Sequence, residues 1–195
     1  MFWDYRTPGI PDELFETDQE VPITKEEVRA VAVSKLRLKE GSAAIDIGCG
    51  SGSITVEICL QTRSNNIYAI DFNEKAIDLT KKNLDKFGLK AITLLARAEN
   101  VLPTLPKVDA IIIGGSWGNI DGILTLATDR LVKGGRIVID TILIETMCKA
   151  LDALESSKLS NIDITQATFA KGRQVSTGTM MLARNTVTII SATKL

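Results

Sequence analysis

The chain has 195 residues, enough for one domain with a substantial core. Its residues are 45% apolar and 24% charged, and its net charge is −1 with no dense basic run, which argues against a nucleic-acid surface and for an ordinary globular protein. Histidine is absent, so Ser-His, Cys-His and His-metal chemistry are excluded together, and any acid or base must be Asp, Glu, Lys, Tyr, Cys or water. Cys49, Cys59 and Cys148 are far apart with no C-x-x-C spacing. They suit a reducing compartment and give no case for a disulfide framework or a metal site. No apolar run approaches the roughly 18 residues of a membrane span. The expected location is the cytoplasm, with no membrane partner.

Taken in chain order, residues 1–23 carry Pro8, Gly9, Pro11 and Pro22 and read as an extended N-terminal arm or lid to a single domain spanning 1–195. Thr24-Lys25-Glu26-Glu27 has the S/T-x-x-E form of a capping box and predicts a helix to about Leu38. An apolar strand at Ala43 to Ile47, a helix from about Gly52 to Gln61 and a strand at Ile67 to Ile70 follow. Asn73 caps a further helix that Gly88 ends, with charged and apolar residues interleaved at helical spacing. Later strands are predicted at Ala91 to Leu95, Val108 to Ile113, and Arg136 to Ile139 behind a Gly134-Gly135 turn. A helix near Ile144 to Ser157 precedes two β-rich runs, Ile162 to Phe169 and Val187 to Ala192, joined by a connection carrying Gly, Lys and Arg. Alternating strands and helices imply an α/β fold whose mostly parallel sheet is covered on both faces.

In such sheets ligands bind at the carboxyl ends of the strands. After the first strand comes Asp46-Ile47-Gly48-Cys49-Gly50-Ser51-Gly52, where alternate glycines would let a ligand approach the backbone. Dinucleotide folds use G-x-G-x-x-G, whereas here the glycines fall at 48, 50 and 52 and position 53 is Ser53. The acidic-x-Gly-x-Gly-x-Gly pattern resembles motif I of the Rossmann-like methyltransferases that use S-adenosylmethionine (SAM). Asp46 suits an ammonium group or water ordered around one. Asp71, ending the second strand, suits ribose hydroxyls. The third strand leads into Arg97-Ala98-Glu99, and the fourth into Gly114-Gly115-Ser116-Trp117-Gly118.

With these elements placed, the chain resembles the CbiT family, the decarboxylating C15-methyltransferases of cobalamin (precorrin) biosynthesis, also found as the C-terminal half of CobL. The resemblance is carried by Gly9 to Phe15, Pro22 to Arg29, Asp46 to Gly52, Tyr68 to Asp71 and Ile113 to Ser116. To these are added Lys171-Gly172-Arg173, Gly178-Thr179-Met180-Met181 and Arg184-Asn185. It implies a class I SAM-dependent methyltransferase with a seven-stranded sheet whose C-terminal strand is antiparallel. It further implies a tetrapyrrole (precorrin) substrate that loses the ring C acetate as carbon dioxide, and a homotetramer. The cofactor-binding residues it implies are Thr24, Asp46, Gly48, Cys49, Gly50, Ser51, Gly52, Asp71 and Ala98. Gly114, Gly115 and Ser116 would shape the substrate pocket, with Lys171, Arg173 and Arg184 facing its carboxylates. Many relatives place an acid before the alanine after the third strand; this chain has Arg97, which leaves the adenine contact at Ala98 open to a shift.

Each feature also has a plainer reading: a bare strand-to-helix turn for the glycines, a capping role for Thr24 and Asp46, a small filler for Cys49 and a solvated loop for the basic residues. Met180 and Met181 read as packing. A methyltransferase of RNA or protein, an NAD-dependent dehydrogenase and a SAM-binding module without catalysis stay open as alternatives.

Overall fold

The structure is a computed structural model that describes every residue except 1, 2, 6, 116 and 117. Seven strands form one sheet in the order β3-β2-β1-β4-β5-β9-β6. These are β1 (Ala44–Ile47), β2 (Ile67–Asp71), β3 (Ile92–Leu95), β4 (Val108–Ile113), β5 (Leu131–Thr141), β6 (Leu159–Ala167) and β9 (Val187–Lys194). β1 to β5 pair in parallel, and β9 inserts antiparallel between β5 and β6. The predicted connection before β9 is instead a hairpin, β7 (Ala170–Val175) and β8 (Gly178–Ala183), paired as a separate two-stranded sheet.

The helices are α1 (Glu26–Lys35), α2 (Ser53–Thr62), α3 (Glu74–Phe87), α4 (Ala98–Val101), α5 (Ile120–Arg130) and α6 (Ile144–Glu155). Side chains of the sheet divide by parity, as the pleat requires. Ile45, Ile47, Ile111, Ile113, Ile137 and Ile139 pack against α5 and α6, including Ile123, Leu124, Ala127, Ala150 and Leu154. Ala44, Ala110, Ile112 and Val138 face Val28, Ala32 and Val33 of α1, Ile54 and Ile58 of α2, and Phe87 of α3. Both faces are covered, so the inner strands are apolar throughout. α5 was not expected from the sequence, although Ile120, Ile123, Leu124 and Ala127 are buried at helical spacing. Gly118 and Gly122 at its start obscure the periodicity.

The Thr24 capping box does not form. α1 starts at Glu26 with Lys25 as its N-cap and no side-chain cap bond, and Thr24 uses its carbonyl to accept from Arg29 Nη1. A buried guanidinium five residues on competes for that turn and wins. The helix also stops at Lys35, because Leu36 and Arg37 turn out of it and Arg37 takes φ +52°. Asn73 and Gly88 cap α3 as expected: Asn73 Oδ1 accepts from Lys75 N at 3.0 Å, and Gly88 closes the helix at φ +67°.

The arm is not a loose lid from Gly9 onward. Glu57, 1% exposed on α2, accepts from the amides of Gly9 (2.9 Å) and Ile10 (3.1 Å) and from Arg29 Nε (2.9 Å). Arg29, wholly buried, also meets Asp12 Oδ1 at 2.9 Å and lies over the Phe15 ring at 4.7 Å. Further along, Asn83 bonds Glu16 N and O and the Ser51 carbonyl, and Val21 is buried against Ala76 and Leu79 of α3. The arm therefore crosses α1, α2 and α3 and ends beside the glycine turn.

Candidate active site

The three glycines of the β1–α2 turn all have positive φ, +74° at Gly48, +53° at Gly50 and +75° at Gly52. Their missing side chains are accounted for by the protein itself. A Cβ on Gly48 would lie 2.7 Å from Gly115 N, and one on Gly52 would lie 2.8 Å from the Thr80 Cα. The turn is thus wedged between the β4 loop and α3, a closer constraint than ligand approach alone. Asp46 stands beneath it, 1% exposed, with Oδ2 accepting from Thr55 Oγ1 at 2.6 Å. Burial, with smaller contributions from Asp140 and Asp71, raises its carboxyl to about 7. Cys49 is buried, takes the Thr80 hydroxyl at 3.4 Å, and has its thiol pushed far up by burial, which fits an inert filler.

A crevice of about 420 Å³ of empty space opens at the carboxyl ends of β1, β2 and β3, lined among others by Gly48, Asp71, Phe72, Arg97, Ala98 and Gly115. Of the nine residues expected at the cofactor, Gly48, Asp71 and Ala98 line it; Thr24, Asp46, Cys49, Gly50, Ser51 and Gly52 do not. Asp71 locks the rim by accepting Gly50 N at 3.1 Å and Asn73 N at 2.9 Å, one on each carboxylate oxygen. A carboxylate oxygen has a second lone pair, so hydroxyls can still bond there. Arg97 covers the Phe72 ring at 5.2 Å, and Glu99 accepts from Asn119 Nδ2 at 2.6 Å, a bond that holds its carboxyl below the ordinary range.

The rim continues over β4 and β5. Gly114 is exposed, Gly115 half-buried, and Ser116 lies outside the described residues. Asp140, near the end of β5, was not anticipated, although it follows Ile137-Val138-Ile139 much as Asp46 and Asp71 follow their own apolar runs. Its Oδ1 is buried without a hydrogen-bond partner among the described residues, and burial raises the carboxyl to about 6. Beyond it Ile142, Leu143 and Ile144 stand 58%, 57% and 70% exposed, an apolar strip at the mouth of the site.

The β7–β8 hairpin leaves β6 at Ala167 and re-enters at Val187, the end of β9 that pairs beside Thr141, so it rises from the same rim. Its basic residues are largely committed to the arm and α1. Lys171 Nζ meets Glu26 Oε1 at 2.6 Å, and Arg184 lies 3.8 Å from Asp12 and 4.0 Å from Glu27. Arg173 stays on the exposed hairpin opposite Met180.

A seven-stranded sheet with one reversed strand next to its edge, and a crevice at the carboxyl ends of β1 to β4, defines the Rossmann-like fold of SAM-dependent methyltransferases. Within that class the chain belongs to the precorrin methyltransferase family, whose domain model matches residues 13–194. It is 48% identical, over the full length of both chains, to the probable cobalt-precorrin-6B C(15)-methyltransferase (decarboxylating) of Saccharolobus solfataricus. Among solved structures it is similar to a precorrin-8W decarboxylase of Methanobacterium thermoautotrophicum, with 35% identity, TM-score 0.89 and coverage of 94% of this chain and 98% of that one. It is also similar to a precorrin-6Y C5,15-methyltransferase of Geobacter metallireducens, with 34% identity, TM-score 0.89 and coverage of 98% and 100%.

Proposed function

We propose that the chain is a SAM-dependent C-methyltransferase that methylates C15 of a cobalt-precorrin-6B-type tetrapyrrole and removes the ring C acetate as carbon dioxide, a cytoplasmic step of cobalamin biosynthesis. The observation that carries this reading is the 48% identity, over 100% of this chain and 100% of the relative, to a protein of that name. The crevice fits the cofactor: it is lined by Asp71 for a ribose, by Phe72 and Ala98 for an adenine, and by Gly48 and Gly115 where the tail must pass. When bound there, SAM supplies an electrophilic methyl group. The residues around it have to position a flat, electron-rich carbon nucleophile, so the absence of histidine is no obstacle. Ile142, Leu143 and Ile144 offer the macrocycle an apolar contact at the rim, and Arg173 a guanidinium for its carboxylates.

Incubation with SAM and a cobalt-precorrin-6B substrate should give a product that has gained one methyl group and lost one carbon dioxide by mass. Methyl transfer to no precorrin by a folded, SAM-binding protein would refute the reading. The same reading includes a homotetramer, which the exposed apolar residues of edge strand β6 (Ile162, Ile164) and of the hairpin (Met180, Met181) support as contact surface. Light scattering checks it.

A further inference from the structure

Arg29 and Arg136 are the buried arginines among the described residues, and they differ in what surrounds them. Arg29 meets Asp12 and Glu57, each at 2.9 Å. Arg136, 5% exposed on β5, bonds neutral oxygens instead: Nε donates to the Lys35 carbonyl (3.1 Å), Nη1 to Thr193 Oγ1 (2.8 Å) and Nη2 to Ser191 Oγ (2.8 Å). Among the described residues no carboxylate forms an ion pair with it, although buried charges are ordinarily paired. A guanidinium has five N–H donors, so two remain free. Arg136 lines an open recess of about 950 Å³ of empty space with Lys35, Arg37, Asn161, Ile162 and Asp163. The acid there is already taken, because Asp163 accepts from Lys35 Nζ, which also reaches Thr165 Oγ1 at 3.2 Å. The side chains of Arg37 and Asn161 make no hydrogen bond or ion pair among the described residues. Burial, and after it the charge of Arg37, holds Arg136 below the ordinary arginine range. Two guanidinium charges thus face one recess without a counter-ion.

We propose that the recess between the end of α1 and β6 is a phosphate site, in which Arg37 and Arg136 hold a phosphate dianion. The charge count sets the class: two cations left without an acid match one dianion, and guanidinium N–H pairs fit its oxygens side by side. Asn161 adds a side-chain amide with two further donors. Both walls are shaped by local departures from regular structure. Asn161 and Ile162 form a bulge in β6 between the pairs Ser160–Thr193 and Asp163–Ser191, with Asn161 at φ +51°, and Arg37 leaves α1 at φ +52°. Arg136 precedes Asp140 by four residues, about 13 Å along β5, and through Ala110 it is level with Ala44 at the start of β1. The recess therefore lies at the amino ends of the parallel strands, away from the crevice, and is independent of the SAM reading. Free phosphate and a phosphomonoester offer the same dianion.

The test is calorimetric titration of the full chain with inorganic phosphate and with glycerol phosphate, in chloride buffer of constant ionic strength. Either probe should bind the wild type, the tighter one marking the source, and Arg37→Ala should weaken that binding about 10-fold or more. At about ten times its Kd the probe should raise the wild-type Tm by about 3–6 °C. Arg37→Glu supplies a counter-ion from within the chain, so in chloride it should melt above wild type and gain nothing from phosphate. Far-ultraviolet circular dichroism matching wild type confirms that both variants are folded. No binding of either probe to the wild type, equal binding by Arg37→Ala, or a phosphate-induced gain in Arg37→Glu as large as in wild type overturns the proposal.

Discussion

Replacing Glu57 by Gln tests whether the arm is held by the buried charge cluster or merely lies on the surface. Glu57 is 1% exposed and accepts three bonds, from Gly9 N, Ile10 N and Arg29 Nε. A glutamine keeps the shape and one acceptor, but its NH₂ must face either the Gly9 amide or the guanidinium, donor against donor. It also leaves the wholly buried Arg29 with Asp12 as its remaining carboxylate within 4.0 Å. Removing one partner of a buried pair costs about 3–5 kcal/mol; because the isosteric amide keeps some bonding, we expect about 3 kcal/mol. For a chain of this size that lowers Tm by roughly 6–12 °C. Thermal unfolding followed by circular dichroism measures it, and hydrogen exchange at Gly9 and Ile10 should accelerate together with it. The surface pair Lys75–Glu20, 2.6 Å apart but with side chains 58% and 69% exposed, is the control, and Lys75→Ala should leave melting unchanged. If Glu57→Gln melts within about 2 °C of wild type and the Gly9 and Ile10 amides stay protected, the cluster does not anchor the arm.

Gly52→Ala places a Cβ 2.8 Å from the Thr80 Cα at φ +75°, whereas Gly88→Ala meets only an unfavourable φ of +67° with nothing within 4 Å. Denaturant unfolding should show a loss of about 1–2 kcal/mol at Gly88 and a clearly larger one at Gly52; equal losses would mean that α3 yields to the turn. Asp46 and Asp140 are raised by burial from 3.8 to about 7 and about 6, so the native state binds more protons than the unfolded chain above about pH 4. Their contribution to stability is therefore lost as pH rises from about 4 to about 7, and Asp46→Asn, which can still accept from Thr55, should flatten that decline. A steeper decline in the variant would contradict the buried, protonated carboxyl.

Local pattern in the chain is enough for the α/β class, for the residues that follow each strand along the rim, and for the family. Alternation of apolar runs with helical periodicity requires only local information, and so do the glycines at 48, 50 and 52, Asp71 after its strand, and the Asn73 and Gly88 caps. Tertiary structure decided which of those residues reach the cavity. Asp46 and Asp71 look alike in sequence, each an acid after an apolar run, yet Asp46 belongs to the sheet face covered by α2 and meets Thr55, while Asp71 lines the crevice. Both lie on one face of the sheet, since Asp46 pairs with Ala69, but Asp71 stands two positions nearer the carboxyl edge; register and the neighbouring helix separate them, and neither is visible from the strand alone. Thr24 lost its cap to Arg29, whose burial depends on Glu57 twenty-eight residues away. Lys171 and Arg184 met acids of the arm and α1 more than a hundred residues earlier. Asp140 stands out only because β5 pairs beside β4, which buries its Oδ1 against Gly114, one residue past β4, with no hydrogen-bond partner among the described residues. Local pattern specifies an element and its end, but the partner of a side chain depends on register and packing, which exist only once the sheet is assembled.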